Sequence, residues 1–321
     1  MENGKEIKIL ITEPDGYSEE ALKILSSIGQ VTSHAMTPDT LMKRVSEFHV
    51  LIVRLGLRID KNVIVRGTNL RFIVSPTTGL DHIDMIEAEQ RNIKVISLRG
   101  EVDFLRSVPS TAEYTWGLLI SLTRNIPQSF EDVKSGLWNR DIHRGYNLKG
   151  KKLGILGLGR VGGQVMRYGE AFEMEIAAYD PYLDSWAAGI LQKESIEALL
   201  TWSDIISIHV PFNESTKNLL NRDRLSFVKA GCFIINTSRA GVWDEEAVLD
   251  LLTEGRIKGV ATDVVSDEHK INETHPMIAY ARAHRNLIIT PHLGGATFES
   301  MAMTEIFVAN KLKQALEVCA Q

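Results

Sequence analysis

Short apolar, β-branched runs recur along this chain and alternate with segments of helical periodicity, and no other feature restricts its fold as much. Runs at 7–12, 50–54, 71–75 and 94–97 are interleaved with helical patterns such as 19–27 and 41–47. A second series follows at 152–157, 175–179, 204–209, 232–236, 258–263 and 287–290. Alternating strand and helix specify a parallel α/β architecture. Runs that are apolar nearly throughout specify strands covered on both faces. With 321 residues, the chain has room for two such sheets in succession, each with its own core.

Between the two series, Ser110 and Glu113 have the spacing of a capping box behind Pro109 and precede an apolar helical pattern of about four turns. This helix is expected to connect the domains, and the helical stretch 297–318 is expected to return to the first. The expected division is 1–107 plus 297–321 as one domain and 108–296 as the other.

Charge narrows the choice of partner. Lys and Arg total 36 against 41 Asp and Glu, a net charge of -5 without a long run of either sign, which argues against a nucleic-acid surface and for a small-molecule partner. Only Cys232 and Cys319 occur, so two unpaired thiols in a reducing compartment are expected rather than a disulfide framework. The first eight residues are polar, and the apolar run behind them is too short for a signal peptide. No stretch approaches the ~20 apolar residues of a membrane helix. The expected location is cytoplasmic, with no membrane contact.

The strongest local signal is Gly157-Leu158-Gly159-Arg160-Val161-Gly162, a G-x-G-x-x-G directly behind a strand and at the start of a helix. The next strand ends in Asp180, 18 residues beyond Gly162. This is the pattern of a dinucleotide site. Gly157 permits the tight turn, Gly159 lets the backbone approach a pyrophosphate, Gly162 lets helix and strand pack closely, and the helix N-terminus attracts the phosphates. Asp180 would accept hydrogen bonds from the adenosine ribose. Its carboxylate would repel a 2'-phosphate that Pro181 and Tyr182 cannot neutralise, so NAD is expected over NADP. A methyltransferase can use a similar turn and acid, and the later strand ends argue against it. Asn236-Thr237-Ser238-Arg239 supplies an Arg, Asp263-Val264-Val265-Ser266-Asp267-Glu268 a Glu, and Pro291-His292-Leu293-Gly294-Gly295 a His. Carboxyl ends of parallel strands converge on one crevice, so these three can meet beside a cofactor. Each alone reads equally well as a surface Arg, a solvated Glu or a capping His.

These motifs resemble the D-isomer-specific 2-hydroxyacid dehydrogenase family over nearly the whole chain, through GLGRVG, NTSRAGVWDE, DVVSDE and PHLGGAT. LIVRLGLRIDKNVI, SPTTGLDHID, VPSTAEYTWGLLISLTRNIP and SGLWNRD look most like its phosphoglycerate dehydrogenase branch. The resemblance implies two Rossmann-like or flavodoxin-like doubly wound domains with the active-site cleft between them, and NAD-linked interconversion of a D-2-hydroxy acid and its 2-keto acid. It implies His292 as general acid and base, Glu268 as its partner and Arg239 as the clamp on the substrate carboxylate and carbonyl. Imidazole exchanges protons near neutrality, a carboxylate beside it favours the protonated ring, and a guanidinium fork holds a carboxylate. Also by resemblance, Thr77, Thr78 and Gly79 grip the substrate carboxylate, with Thr78 touching the cofactor. Arg160, Val161, His209, Val210, Pro211, Thr237, Ser238, Asp263, Gly294 and Gly295 line the cofactor. Arg54 is either a contact to a distal substrate anion or a member of a surface salt bridge. A homodimer through 111–146 is implied, with Trp138 near the contact.

Two positions depart from the family pattern. Thr77 stands where its loop often has the first Gly of G-x-G, and His269 follows Glu268 where Pro is common; both bear on pocket shape. His269, His275 and His284 lack metal-ligand spacing, so no metal is expected. With 24 residues after Thr297, no C-terminal regulatory domain is expected. Hydroxypyruvate or glyoxylate reduction and sugar-acid oxidation stand as alternative activities. An NADH-sensing, co-repressor-like binding protein is the alternative of another class.

Overall fold

The computed structural model describes residues 6–186 and 189–320, without the side chains of His269, Cys319 and Ala320. Residues 1–5, where the polar start of the chain lies, and the side chains of His269 and Cys319 are thus outside the described set. Two compact units result: the chain up to Val108 together with Ala296 onward, and Pro109–Gly295.

The first unit holds a parallel sheet of β1 (Lys8–Ile11), β2 (Gln30–Ser33), β3 (Val50–Ile52), β4 (Phe72–Val74) and β5 (Lys94–Ile96), in the order β2-β1-β3-β4-β5. Side chains alternate across a strand, so the apolar runs build two cores at once. Leu10, Leu51 and Ile73 pack on one face with Val63 and Ile64 of the helix Lys61–Arg66. Ile9, Ile11, Val50, Ile52, Phe72 and Val74 face the other way and meet Val308, Ala309 and Leu312 of the helix Phe298–Ala320. The C-terminal segment therefore completes the first unit's core. β2 escapes the sequence pattern because Gln30-Val31-Thr32-Ser33 is an edge strand with exposed ends and half-buried centre, which has no need of an apolar run.

The second unit contains β6 (Lys152–Leu156), β7 (Glu175–Tyr179), β8 (Leu191–Gln192), β9 (Ile205–Ile208), β10 (Phe233–Asn236), β11 (Gly259–Thr262) and β12 (Leu287–Ile289). All pairs are parallel, in the order β12-β11-β10-β9-β6-β7-β8. β8 was not expected; it is two exposed residues on the sheet edge. Leu153 and Ile155 pack against Ala112, Trp116, Leu119 and Leu122 of the helix Ser110–Thr123. Leu156, Ile206, Ile208 and Ile234 pack on the other face with Leu199, Leu200, Val248 and Leu252.

One capping expectation is corrected. Pro109 is the cap of the helix Ser110–Thr123, without a side-chain cap bond, and its carbonyl accepts from Ala112 and Glu113. Ser110 is the first helical residue, and its hydroxyl is buried without a hydrogen-bond partner among the described residues. With Ser110 one residue inside the helix start, Ser110 and Glu113 do not stand at the cap and third positions that a capping box needs. No described helix is long and apolar enough to cross a membrane. Cys232 is buried and free, and burial pushes its thiol far up, so it is a packing residue.

Candidate active site

The order of the second sheet reverses between β6 and β9, and a ligand crevice is expected outside the carboxyl ends of strands at such a switch point. The glycine turn leaves β6 there. Gly157 has φ +89°, and a Cβ on it would come within 2.9 Å of the His209 carbonyl oxygen and of Val210 Cγ1. A Cβ on Gly162 would lie 2.1 Å from the Gly157 carbonyl oxygen, so only glycine allows the helix Arg160–Ala171 to start this close to the turn. Gly159 differs: a Cβ there would meet nothing within 4 Å. Gly159 makes no side-chain cap bond, and the first-turn amides of a helix point out of its end.

Asp180 follows β7. Its Oδ2 accepts from Leu158 N at 2.9 Å and its Oδ1 from Tyr182 N at 3.0 Å, which ties the carboxylate to the glycine turn. A carboxylate has about four lone-pair positions, so two are left for further donors. His209, just past β9, shares a 2.7 Å hydrogen bond between Nε2 and Ser207 Oγ. Burial and then the nearby Arg160 charge push it down to about 3, so near neutral pH it is an uncharged wall of the crevice. Burial also lowers Arg160. Pro211 O accepts from Thr216 Oγ1 at 2.6 Å, fixing the chain behind β9.

At the end of β10, fully buried Asn236 organises the next three residues. Its Oδ1 accepts from Ser238 N and Oγ at 3.0 and 2.8 Å, and its Nδ2 donates to Arg239 O at 3.2 Å. Thr237 Oγ1 pairs with Thr115 Oγ1 at 2.8 Å. Arg239 Nη1 donates to Ser238 O at 2.8 Å. Sequence reasoning passed over Asn236 and Thr115. An Asn at a strand end before a Ser, set for a local side-chain-to-backbone turn, was the available signal for the first.

Glu268 lies in a short 3-10 turn after β11, and His292 follows β12. They meet: His292 Nδ1 is 3.0 and 3.1 Å from the two Glu268 carboxylate oxygens. With Nδ1 taken by the carboxylate, Nε2 is the ring atom left to exchange a proton with a ligand. Asp263, 1% exposed, accepts from Leu293 N and Gly294 N at 2.8 and 2.7 Å. A Cβ on Gly294 would crowd Asp263 Oδ2 at 3.1 Å, whereas Gly295 is open.

In the first unit, the loop behind β4 is internally braced. Thr77 Oγ1 donates to Gly79 O at 2.8 Å and pairs with Ser75 Oγ at 2.8 Å, and Thr78 is exposed. Arg54 is engaged within its own unit. Its Nε donates to Glu305 Oε1 at 3.0 Å, its Nη2 binds the same oxygen, and its Nη1 donates to Asp15 O at 2.9 Å. The Arg54 and Glu305 side chains are 16% and 1% exposed, so this Arg stands in a salt bridge, but in a largely buried one and not the surface pair of the alternative. Among the described residues, no group of three or more His, Cys, Asp or Glu is arranged to hold a metal ion.

Open space at Gly159, the uncapped helix start and an acid at the neighbouring strand end suit a dinucleotide: the amides would hold its pyrophosphate and Asp180 its ribose. Fold and crevice together define the second unit as a dinucleotide-binding α/β domain. The sequence model of the D-isomer specific 2-hydroxyacid dehydrogenase NAD binding domain matches residues 116–294. The chain is 33% identical to the hydroxypyruvate reductase of Thermotoga maritima over 95% of this chain and 97% of that protein. It is 34% identical to the D-3-phosphoglycerate dehydrogenase of Methanocaldococcus jannaschii over 97% of this chain, and spans 57% of that relative's length. The crystal structure of the TT0316 protein from Thermus thermophilus superposes with a TM-score of 0.84 at 30% identity, over 97% of each chain. The chain belongs to the D-isomer-specific 2-hydroxyacid dehydrogenase family, and its second unit is the family's NAD-binding domain.

Proposed function

We propose that this protein interconverts a D-2-hydroxy acid and its 2-keto acid, with His292, Glu268 and Arg239 as the working groups. The observation that carries the reading is the 3.0 Å contact of His292 Nδ1 with Glu268, from the ends of neighbouring strands beside a dinucleotide crevice. NADH, when bound, would supply the hydride for reduction, and NAD+ would accept it in oxidation. In reduction, protonated His292 gives its Nε2 proton to the carbonyl oxygen, and Glu268 stabilises the imidazolium before transfer. In oxidation the neutral ring takes the hydroxyl proton. Arg239 holds the substrate carboxylate and polarises the carbonyl. Thr77, Thr78 and Gly79 are further substrate contacts, and Thr78, Val161, Thr237 and Ser238 further cofactor contacts.

A D-3-phosphoglycerate dehydrogenase-like activity and reduction of hydroxypyruvate are the two substrate readings, after the two relatives named above. The engagement of Arg54 by Glu305 favours the second, because a distal phosphate would have to displace a nearly buried carboxylate. The test is a steady-state screen of phosphohydroxypyruvate, hydroxypyruvate and glyoxylate with NADH and NADPH. Turnover with NADH preferred supports the assignment, and no turnover on any keto acid overturns it in favour of a dinucleotide sensor. A cytoplasmic homodimer with no nucleic-acid partner completes the proposal. Its support is the exposed apolar set Phe130, Leu137, Trp138 and Ile142 on the arm behind the helix Ser110–Thr123.

A further inference from the structure

Behind β4, three polar side chains of the first unit are linked in a row. Ser75 and His82 are buried. Ser75 Oγ lies 2.8 Å from Thr77 Oγ1 and 3.3 Å from His82 Nε2, and Thr77 Oγ1 lies 2.8 Å from the Gly79 carbonyl oxygen. The protons of this row can be counted. A carbonyl oxygen only accepts, so the Thr77 hydroxyl spends its single proton on Gly79 O. Thr77 Oγ1 must then accept from Ser75, which spends the Ser75 proton, and Ser75 Oγ must accept from His82. These contacts are all hydrogen bonds at once only when the His82 ring carries a proton on Nε2. With the proton on Nδ1 alone, Nε2 would draw the Ser75 proton, Ser75 would draw that of Thr77, and Gly79 O would lose its donor.

The two ends of the row differ in their anchorage. The His82 carbonyl accepts from Ile59 N at 2.7 Å, and Asp84 N donates to Ile59 O at 2.9 Å, so the backbone around His82 is pinned to a neighbouring segment. At the other end, nothing among the described residues of the first unit accepts from the amides of Thr78 and Gly79. Successive backbone amides left open in this way suit an anion such as a carboxylate.

We propose that His82, protonated on Nε2, is a positioning residue for the loop 77–79, acting through Ser75 and Thr77 to hold the Gly79 peptide and keep the two amides open for the substrate carboxylate. The proposal rests on the reading of Thr77, Thr78 and Gly79 as substrate contacts. It gives the Thr77 hydroxyl a task inside the loop, as the last donor of the relay. Breaking the row strands a buried hydroxyl or ring nitrogen and frees the Gly79 carbonyl to turn.

The test uses Ser75→Ala, which removes the middle of the relay and little volume, His82→Leu at its start, and Thr77→Val and Thr77→Ser at its end. Expected for Ser75→Ala, His82→Leu and Thr77→Val is a keto-acid KM raised about 5- to 20-fold, with kcat and the NADH Kd within about 3-fold of the parent. Thr77→Ser keeps the hydroxyl and should stay within about 2-fold of the parent KM. The double change Ser75→Ala with His82→Leu should be no worse than the worse single one. If His82→Leu does not fold, Ser75→Ala and the Thr77 pair decide. An unmoved KM in Ser75→Ala overturns the proposal, and so does a Thr77→Ser as impaired as Thr77→Val. If the parent turns over no keto acid, the substrate reading fails separately, and 15N NMR of the His82 ring then judges the relay. The parent ring should be protonated on Nε2, and Thr77→Val, which leaves the Ser75 proton without its acceptor, should move the ring proton toward Nδ1. A parent ring protonated on Nδ1 alone, or one that Thr77→Val does not change, ends the proposal.

Discussion

A single imidazole and a single carboxylate carry the proposed proton transfer, and each has a distinct expected signature. His292→Ala should lower kcat by at least ~10²-fold while leaving NADH binding intact, because it removes proton transfer without touching the glycine turn. Glu268→Gln keeps the shape but removes the charge that favours the imidazolium, so keto-acid reduction should fade at a lower pH than in the parent. Oxidation uses the neutral ring, so its acid limb should extend in the same direction. Paired profiles of kcat/KM in the two directions check this, and limbs that stay in place would mean that the 3.0 Å contact does no electrostatic work in the reaction. The identities of both residues were readable from PHLGGAT and DVVSDE and the resemblance implied their pairing, but the sequence did not set the geometry of the contact. It joins positions 24 apart through the ends of two strands, and only the parallel packing of β11 and β12 sets that distance.

At the scale of the element, the glycine turn and the C-terminal helix depend on different physics. Gly162→Ala forces a methyl into the Gly157 carbonyl and should destabilise the second unit by about 1–3 kcal/mol, with weaker NADH binding. Gly159→Ala, with open space around its Cβ position, should leave stability unchanged and weaken NADH alone. Thermal melts with and without NADH separate the two, and equal melting losses would contradict the packing account. Arg54→Ala strands the Glu305 carboxylate, 1% exposed, and should cost roughly 3–5 kcal/mol, whereas the paired change Arg54→Met with Glu305→Leu should recover most of it. Denaturant melts test this. A melt of Arg54→Ala that matches the parent, with loss confined to turnover of a phosphorylated acid, would restore Arg54 to the substrate site. The glycines were legible because their partners are near in sequence, and the Arg54 pair was not, its members lying 251 positions apart.

For the whole molecule, the exposed arm is the feature that a lone chain leaves unexplained. Trp138 is 89% exposed, and Phe130 and Ile142 are also more than half exposed, an apolar group that water does not favour. Sedimentation should therefore show a dimer, and Trp138→Glu should shift it toward monomer. A fully active monomeric parent would count against the assembly.

By itself the sequence determined the two-sheet α/β class, most strands, the dinucleotide turn and the identity of the three proposed working residues. Each of these rests on local pattern: an apolar run covered on two faces, or glycines that answer to neighbours a few residues away. Tertiary structure alone decided the edge strands β2 and β8, the burial of Ser110, the engagement of Arg54 and the hydrogen bonds to Asp263. These two strands bury too little to need an apolar signature. A polar side chain, in turn, reads the same in sequence whether it meets water, a ligand or a partner brought next to it by the fold.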